Sequence, residues 1–167
     1  ALEVLDGSVN PGRRVVVVGG GAVGCETAVA IAAKGTISAE TLKFLVENEA
    51  EELETLRRLL NRGTREVTIV EQFKGVGRDI GISTRWVVMQ NVRRLGIKVM
   101  DEATVKAVTA EGVVVEKDGA ETLIPADTVV LAIGACSANE LAGQLQGRVA
   151  ELHLVGDAVK PRKLTEA

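Results

Sequence analysis

Three glycines near the start of the chain have the spacing of a phosphate-binding turn. They follow the apolar run VVVV and fit the pattern G-x-G-x-x-G. In a strand–turn–helix unit the first glycine permits a tight turn, the second lets the backbone approach a diphosphate, and the third lets helix and strand pack closely. The diphosphate binds free N–H groups at the start of the helix, where the helix dipole favours negative charge. The predicted contacts are Gly19, Gly20, Gly21, Ala22, Val23 and Gly24.

A glycine turn of this kind is the first half of a dinucleotide site, and a tight turn that binds nothing is the alternative. The second half is an acid roughly 20 residues further on, which holds the adenosine ribose. That count from Gly24 ends at Phe44, and the nearby Glu40 and Glu47 belong to a helical pattern. Glu71 lies 47 positions beyond Gly24, at the end of the next apolar run, EVTIVE.

We interpret Glu71 as the ribose acid, because removing a two-helix segment of roughly 27 residues restores the usual separation. A solvated carboxylate at a strand end is the alternative. An acid here favours the free 2′-hydroxyl of NAD and repels a 2′-phosphate. Lys74 and Arg78 follow in the sequence, so NADP stays open as the less favoured cofactor. The predicted cofactor is NAD(H).

The elements that position these residues are buried strands alternating with helices. Continuous apolar runs are typical of parallel strands that are buried on both faces. The predicted strands are RRVVVVG, EVTIVE, GIKVM, DTVVLAIGA and a last one, ELHLVGD. The predicted helices comprise residues 22–34, ended by Gly35, residues 82–95, and a short helix over residues 139–145. Trp86, Met89, Val92 and Leu95 form the expected core stripe of the second of these helices.

Residues 36–63 predict a helical insertion of two amphipathic helices. Ser38 can cap the first helix, and in the second helix the acids come first and the bases last, which matches the helix dipole. The apolar faces need a partner surface, either another domain or the flank of the sheet. Residues 103–125 alternate instead, with breaks at Gly112 and at Asp118-Gly119, which predicts an antiparallel three-stranded meander.

Together these elements predict an α/β fold, a Rossmann-like three-layer parallel sheet with helices on both faces, an antiparallel β-meander and a two-helix insertion. The 167 residues are enough for one domain with a full core, so we assign residues 1–167 to a single domain. The chain starts with ALEV rather than Met, and its end, KPRKLTEA, is typical of the start of another helix. Both features indicate a domain fragment of a longer protein.

Composition excludes several functional classes. Aromatic residues make up 2% of the chain and the net charge is −3, so we expect no nucleic-acid partner, which would need a basic stacking platform. Apolar runs are too short to span a membrane, and we expect no membrane partner. The two cysteines form no C-x-x-C pair, so neither a metal site nor a redox pair is predicted. Reduced thiols and a cytoplasmic location are the expectation.

The order of these segments resembles a known family. VVVVGGGAVGCETA, VTIVE, the meander and TVVLAIGA look like the NAD(P)-binding domain of the pyridine nucleotide-disulfide oxidoreductase superfamily. VGRDIGISTRW, LGIKV, GACSANEL and LHLVGDAVKPRKL resemble the C-terminal part of the bacterial NADH:flavin oxidoreductases. That group includes 2-enoate reductase and 2,4-dienoyl-CoA reductase and is related to trimethylamine dehydrogenase. The resemblance implies a parent chain with a flavin barrel, an iron–sulfur cluster, and an FAD-binding domain into which the NAD(P)-binding domain is inserted.

Further site residues follow from the resemblance alone. It implies that Glu26 faces the nicotinamide and that the backbone at Val105, Gly134 and Ala135 lines the adenine and ribose. A helix-dipole acid and ordinary strand-end packing are the respective alternatives. Residues 137–167 are interpreted as a remnant of the flanking FAD-binding domain. Its closing motif, Gly156-Asp157, meets the ribitol of FAD in the family, whereas a plain Gly-Asp turn is the alternative.

Two more residues have reactive side chains. Cys25 stands at a helix N-terminus, which can lower a thiol pKa, although a small buried residue is the favoured interpretation. His153 is the single histidine and has no acid or nucleophile pattern around it, so we interpret it as structural or exposed. No general base or nucleophile is identified, and we expect the fragment alone to catalyse nothing.

The predicted function is to bind NADH and position it for hydride transfer to FAD in an NADH:flavin oxidoreductase. The predicted partners are the dinucleotide and the FAD-binding and flavin-barrel domains of the parent chain. Two alternatives stay open. One is a structural module that holds ADP without electron transfer, and the other is an interaction module in which the helical insertion is the working surface and the nucleotide site is vestigial.

Overall fold

A computed structural model describes residues 1–162 of the chain. The terminal segment for which a further helix is predicted lies, from residue 163 onward, outside the described residues. Two compact units make up the structure, residues 1–133 and residues from 134 onward. The assignment of residues 36–63 and 137–167 to an insertion and to an FAD-domain remnant stays a prediction.

Seven strands occur among residues 1–162, all of them in the first unit. They are β1 (Arg14–Val18), β2 (Glu66–Val70), β3 (Lys98–Met100), β4 (Thr104–Thr109), β5 (Gly112–Lys117), β6 (Ala120–Pro125) and β7 (Thr128–Leu131). Four of them form a parallel sheet in the order β3-β2-β1-β7, and the other three form an antiparallel sheet in the order β4-β5-β6. The predicted meander is therefore confirmed, and its β5–β6 turn has Asp118 and Gly119 at positive φ, as a tight hairpin requires.

The helices of the first unit are α1 (Leu2–Leu5), α2 (Ala22–Ala33), α3 (Ala39–Glu47), α4 (Leu53–Asn61) and α5 (Ile82–Arg94). None of the helices in the described part of the chain is long and apolar enough to cross a membrane. The glycine turn connects β1 to α2, which is the strand–turn–helix context that the sequence predicts.

The two faces of the parallel sheet are covered differently. Val15 and Val17 pack with α1, α2 and α5, whereas Val16 packs against the meander residues Val113 and Val115. Alternate residues of a strand point to opposite faces, so a strand buried on both must be apolar throughout. The fold is α/β and Rossmann-like in three layers: helices, parallel sheet and meander. The expectation of helices on both faces is wrong, because the meander's own apolar side covers the second face.

The helical insertion lies at the amino edge of the sheet. Ser38 Oγ accepts a hydrogen bond from Thr41 N (3.1 Å), which confirms the predicted cap. Leu56 is the one insertion residue that is fully buried among those described, and both Phe44 and Val46 on α3 are more than half exposed. The chain then returns to β2 close to the end of α2.

Trp86 is a correction to the predicted core stripe of α5. Val92 and Leu95 are buried and Met89 is partly buried, but the Trp86 side chain is 64% exposed. The reason is its place in the first turns of α5, where Ile82 is also exposed, so that the buried face of the helix begins one turn later.

The second unit contains α6 (Glu140–Leu145), as predicted, and a short 3₁₀ helix at Gly156–Ala158. The last predicted strand, ELHLVGD, is wrong, since no strand is present among residues 134–162. Val155 is extended, yet residues 151–155 are all exposed and join neither sheet. An apolar, extended segment becomes a strand only when a neighbouring strand supplies hydrogen-bond partners.

Candidate nucleotide-binding site

The glycine turn lies at the carboxyl edge of the parallel sheet, where α/β folds bind their ligands. Gly19 has φ +104, and its N–H donates to Val70 O of the neighbouring strand (2.9 Å). A Cβ on Gly19 would overlap the Ala132 carbonyl oxygen, and a Cβ on Gly24 would overlap the Gly19 carbonyl oxygen. Both overlaps are with backbone atoms, which cannot rotate away. The first and third glycines are therefore required by packing.

Glu71 is held against the middle of this turn. Gly20 N–H donates to Glu71 Oε2 (2.6 Å), and Phe73 N–H donates to Glu71 Oε1 (2.9 Å). Two residues 51 positions apart are thus joined. Each carboxylate oxygen has further acceptor capacity, so the group can still bind hydroxyl donors. The structure therefore brings together the glycine turn and Glu71, which residues 36–63 separate in the sequence.

Asp79 is a third component, which sequence reasoning missed. Its Oδ1 accepts a hydrogen bond from Ala22 N–H (2.8 Å) at the start of α2. Its two oxygens lie 3.2 and 3.3 Å from the position that a Gly21 Cβ would have. Asp79 belongs to an irregular loop with no periodic pattern, so its approach to the turn could be found only through tertiary structure.

The loop of residues 71–81 is fastened to its surroundings at several points. Gly77 N–H donates to Gly20 O (2.6 Å), and Val76 and Ile80 are buried in the core on the helix side. Gly75 N–H donates to Asp101 Oδ2 (2.7 Å), and this hydrogen bond lowers the pKa of the Asp101 carboxyl. The path of the loop is therefore set by the turn and the core together.

Cys25 lies beneath the turn and is fully buried. Its Sγ is 3.4 Å from Gly20 O. Burial, followed by the negative charge of Asp79, raises the pKa of the Cys25 thiol to about 11. The interpretation of Cys25 as a small buried residue is confirmed, and a lowered thiol pKa at the helix N-terminus is wrong because loss of solvation outweighs the helix dipole.

Lys74 and Arg78, the basic residues that leave NADP as an alternative cofactor, lie just after Glu71. The Arg78 guanidinium is 4.8 Å from the centre of the Phe73 ring, a cation–π contact. Lys74 is exposed. These cations lie in the loop that follows Glu71, so the sequence around this carboxylate carries charges of both signs.

The remaining predicted residues are placed as follows. Val23 and Glu26 are exposed on the first turns of α2. Val105 is partly buried and packs against the meander side of the core, two residues beyond Ala103, whose N–H donates to Glu71 O (3.0 Å). Their contacts with a cofactor stay predictions.

The predicted residues of the second unit are all exposed: Gly134, Ala135, Gly156 and Asp157. Gly134 and Gly156 have φ of +107 and +61. His153 is exposed beside Glu151, and its Nε2 lies 3.3 Å from the Glu151 carboxylate. This agrees with its interpretation as a structural or exposed residue. The roles proposed for the four site residues stay predictions.

The helical insertion carries two shallow grooves. One, of about 340 Å³, is lined by Glu54, Arg57, Arg58, Asn61, Arg62 and Arg94. The other, of about 530 Å³, lies between α3 and α4 and is lined by apolar and acidic side chains. Neither groove includes a residue of the glycine turn.

The glycine turn, Glu71 and the meander all lie within a segment that matches a known family. Residues 2–154 match the model described as pyridine nucleotide-disulphide oxidoreductase. The chain belongs to this family. Its members include flavin-dependent reductases of the 2-enoate reductase type, which the sequence resembles.

Similar proteins are much longer than this chain. A protein named metal reductase from Desulforamulus reducens is 47% identical over the whole chain, which spans 25% of that protein. An NADH oxidase from Thermoanaerobacter brockii is 32% identical over the whole chain, which spans 22% of it. The structure of a 2-naphthoyl-CoA reductase in complex with 2-naphthoyl-CoA matches this chain with a TM-score of 0.69 at 24% identity. The match covers 99% of this chain and 21% of the reductase chain. That likeness supports the fold.

Proposed function

We propose that this chain binds NADH and positions it for hydride transfer to FAD within a flavin-dependent reductase. The observation that carries the proposal is the hydrogen bond from Gly20 N–H to Glu71 Oε2, because it supports a ribose-binding role for a carboxylate that lies beside the glycine turn. The relative named NADH oxidase adds support for NADH as the nucleotide.

The residues present fit the adenosine diphosphate half of such a cofactor. The close-packed turn brings the backbone of Gly21 to the surface at the start of α2, and Glu71 is oriented by two N–H donors. When bound, the nicotinamide supplies a hydride to the flavin. The chain's own part is binding and orientation, and the reaction itself belongs to the cofactors.

The negative charge of Glu71 gives the proposal a direct test. Glu71→Arg is expected to weaken NADH binding about tenfold and to improve NADPH binding, because a cation replaces the acceptor of the 2′-hydroxyl and attracts a 2′-phosphate. Binding of both nucleotides would be measured by calorimetric titration of the purified chain. Glu71→Gln is a milder variant that keeps an acceptor for Gly20 N–H.

Glu111→Arg is the matched control, since it makes the same change in charge at the far end of the meander, in the turn after β4. It is expected to leave the affinities for both nucleotides unchanged. If Glu71→Arg also leaves both affinities unchanged, Glu71 is not the ribose acid.

An ADP-binding structural module is the second candidate. It is favoured by the proposed roles of Glu71 and the glycine turn, since both roles concern the adenosine diphosphate half of the cofactor. Comparing ADP with NADH decides between the two functions. An ADP module binds both equally, whereas a hydride-transfer domain gains affinity from the nicotinamide half.

A further inference from the structure

We propose that Asp79 sets the affinity of the site for nucleotides by competing with their diphosphate for the start of α2. The inference rests on the proposed function and deepens it. In this arrangement the site carries its own anion, and a nucleotide must displace that carboxylate to reach the Ala22 N–H.

The first step of the argument is the supply of donors. The first four N–H groups of an α-helix have no acceptor within the helix, and they are the donors that a bound diphosphate uses. In α2 the Ala22 N–H donates to Asp79 Oδ1 at 2.8 Å. The carboxylate therefore holds one of the donors that the fingerprint offers to a phosphate oxygen.

The second step is position. Both oxygens of Asp79 lie within 3.3 Å of where a Gly21 Cβ would be, over the glycine that lets a diphosphate approach the backbone. A carboxylate and a diphosphate at that point repel each other, since both are negative. The start of α2 cannot bind both at full strength.

The third step is that the fold holds Asp79 in this place. The bond from Gly77 N–H to Gly20 O lies two residues before Asp79, and the buried Ile80 lies one residue after it. Asp79 also contributes to the charge around the buried Cys25 thiol, which is consistent with a carboxylate directed at the turn. Because the loop is anchored on both sides of Asp79, the loop itself fixes the position of this residue.

The experiment separates the charge of Asp79 from its hydrogen bond. Asp79→Asn keeps an oxygen that can accept from Ala22 N–H but removes the negative charge. Its affinity for NADH and for ADP is expected to rise about tenfold, by the same factor for both because they share the diphosphate. Affinity for adenosine, which lacks the diphosphate, is expected to stay the same. Asp79→Ser, which also keeps a capping oxygen, gives a second variant if the first fails to fold.

Asp118→Asn is the matched control, an identical change in the β5–β6 turn, where positive φ suits Asn. It is expected to leave all three affinities unchanged. Thermal melting with inorganic pyrophosphate gives a second readout, with a larger rise in Tm for Asp79→Asn than for the original chain.

The outcomes distinguish this inference from the function on which it rests. If the original chain binds NADH and Asp79→Asn binds it equally well or more weakly, the competition is wrong and the proposed function stands. If Asp79→Asn raises the affinity for adenosine as much as for NADH, the effect is structural and the inference is also wrong. If neither protein binds NADH or ADP, both proposals fall.

Discussion

The two ends of helix α2 lie at opposite edges of the parallel sheet, and these two edges are built differently. At its start, backbone atoms from three strand ends meet around Gly19, and several N–H groups have fixed acceptors. At its end, about 18 Å away by helix geometry, the chain continues into residues 36–63, among which Leu56 is the one buried residue. Ile37 N–H donates to Leu59 O (3.1 Å) and Arg62 Nη1 donates to Arg94 O (3.2 Å), and the other apolar residues of this segment are partly buried or exposed.

This comparison shows where the fold has room for change. Binding a nucleotide through backbone N–H groups requires fixed atoms, so the carboxyl edge admits only glycine at its tightest points. The amino edge is also tight where the chain leaves α2 and returns, since a Cβ on Gly63 would overlap the carbonyl oxygens of Ala32 and Lys34, but of the residues between Gly35 and Gly63 only Leu56 is buried. The following predictions test the contrast, from the largest expected effect to the smallest.

The strongest test is at the turn itself. Gly24→Ala places a Cβ against the Gly19 carbonyl oxygen, so helix and strand must separate. We expect a loss of about 3 kcal/mol in the free energy of unfolding, together with loss of nucleotide binding. Gly143→Ala, also in a helix but with open space around the Cβ, is the control and is expected to be neutral or slightly stabilising. Urea titrations give both values, and a similar stability for the two variants would show that the turn is less rigid than its geometry indicates.

The insertion offers a paired test of its own. Leu56→Ala removes its buried anchor and is expected to cost about 2 kcal/mol in the free energy of unfolding. Phe44→Ala removes a larger side chain that is 61% exposed and is expected to change that free energy by less than about 0.5 kcal/mol. Neither change should alter NADH affinity, because both residues lie at the edge opposite the glycine turn. A drop in NADH affinity for Leu56→Ala in the folded chain would contradict the separation of the two edges.

The smallest effect concerns an ion pair at the amino edge. Asp127 Oδ2 accepts from Arg14 N–H (2.8 Å), and its Oδ1 accepts from the guanidinium. These hydrogen bonds lower the Asp127 pKa from 3.8 to about 2. The stabilisation is therefore fully present above about pH 4 and is lost as the pH falls toward 2.

Asp127→Asn is expected to be modestly less stable than the original chain at pH 7, with a difference that shrinks between pH 4 and pH 2. Urea titrations at pH 7, 4 and 3 would measure it, with Asp118→Asn as the control for a carboxyl in an exposed turn. A difference that is constant with pH would mean that Arg14 and Asp127 contribute nothing through charge.

Much of this structure could be predicted from the sequence, because local patterns agree with the final packing. Four consecutive valines before a glycine turn indicate a strand buried on both faces, and Ser38 marks the start of α3. Glu71 could be selected as a candidate because the chemistry requires a strand end, and the strand end is visible in EVTIVE although it lies 47 residues beyond Gly24 rather than about 20.

What could not be predicted depends on tertiary contacts. Periodicity shows that both faces of the sheet are covered, but it does not show that the meander covers one of them. Asp79 reaches the turn through an irregular loop, so no spacing rule leads to it. The exposed Trp86 and the exposed, unpaired residues 151–155 both carry apolar patterns whose burial would need a neighbouring surface.

The hydrogen bond from Gly77 to Gly20 also has a consequence for the order of folding. The glycine turn and β1 are local, but Glu71, which we propose as the ribose acid, and Asp79, which we propose as the competing anion, both arrive from beyond β2, after the chain has closed a loop of more than fifty residues. Loop closure of that length adds only modestly to the entropy cost, yet it must precede the site. A peptide of residues 12–36 would contain the whole glycine fingerprint and neither acid. Nucleotide binding should therefore develop late in folding, only after β1 and β2 have paired.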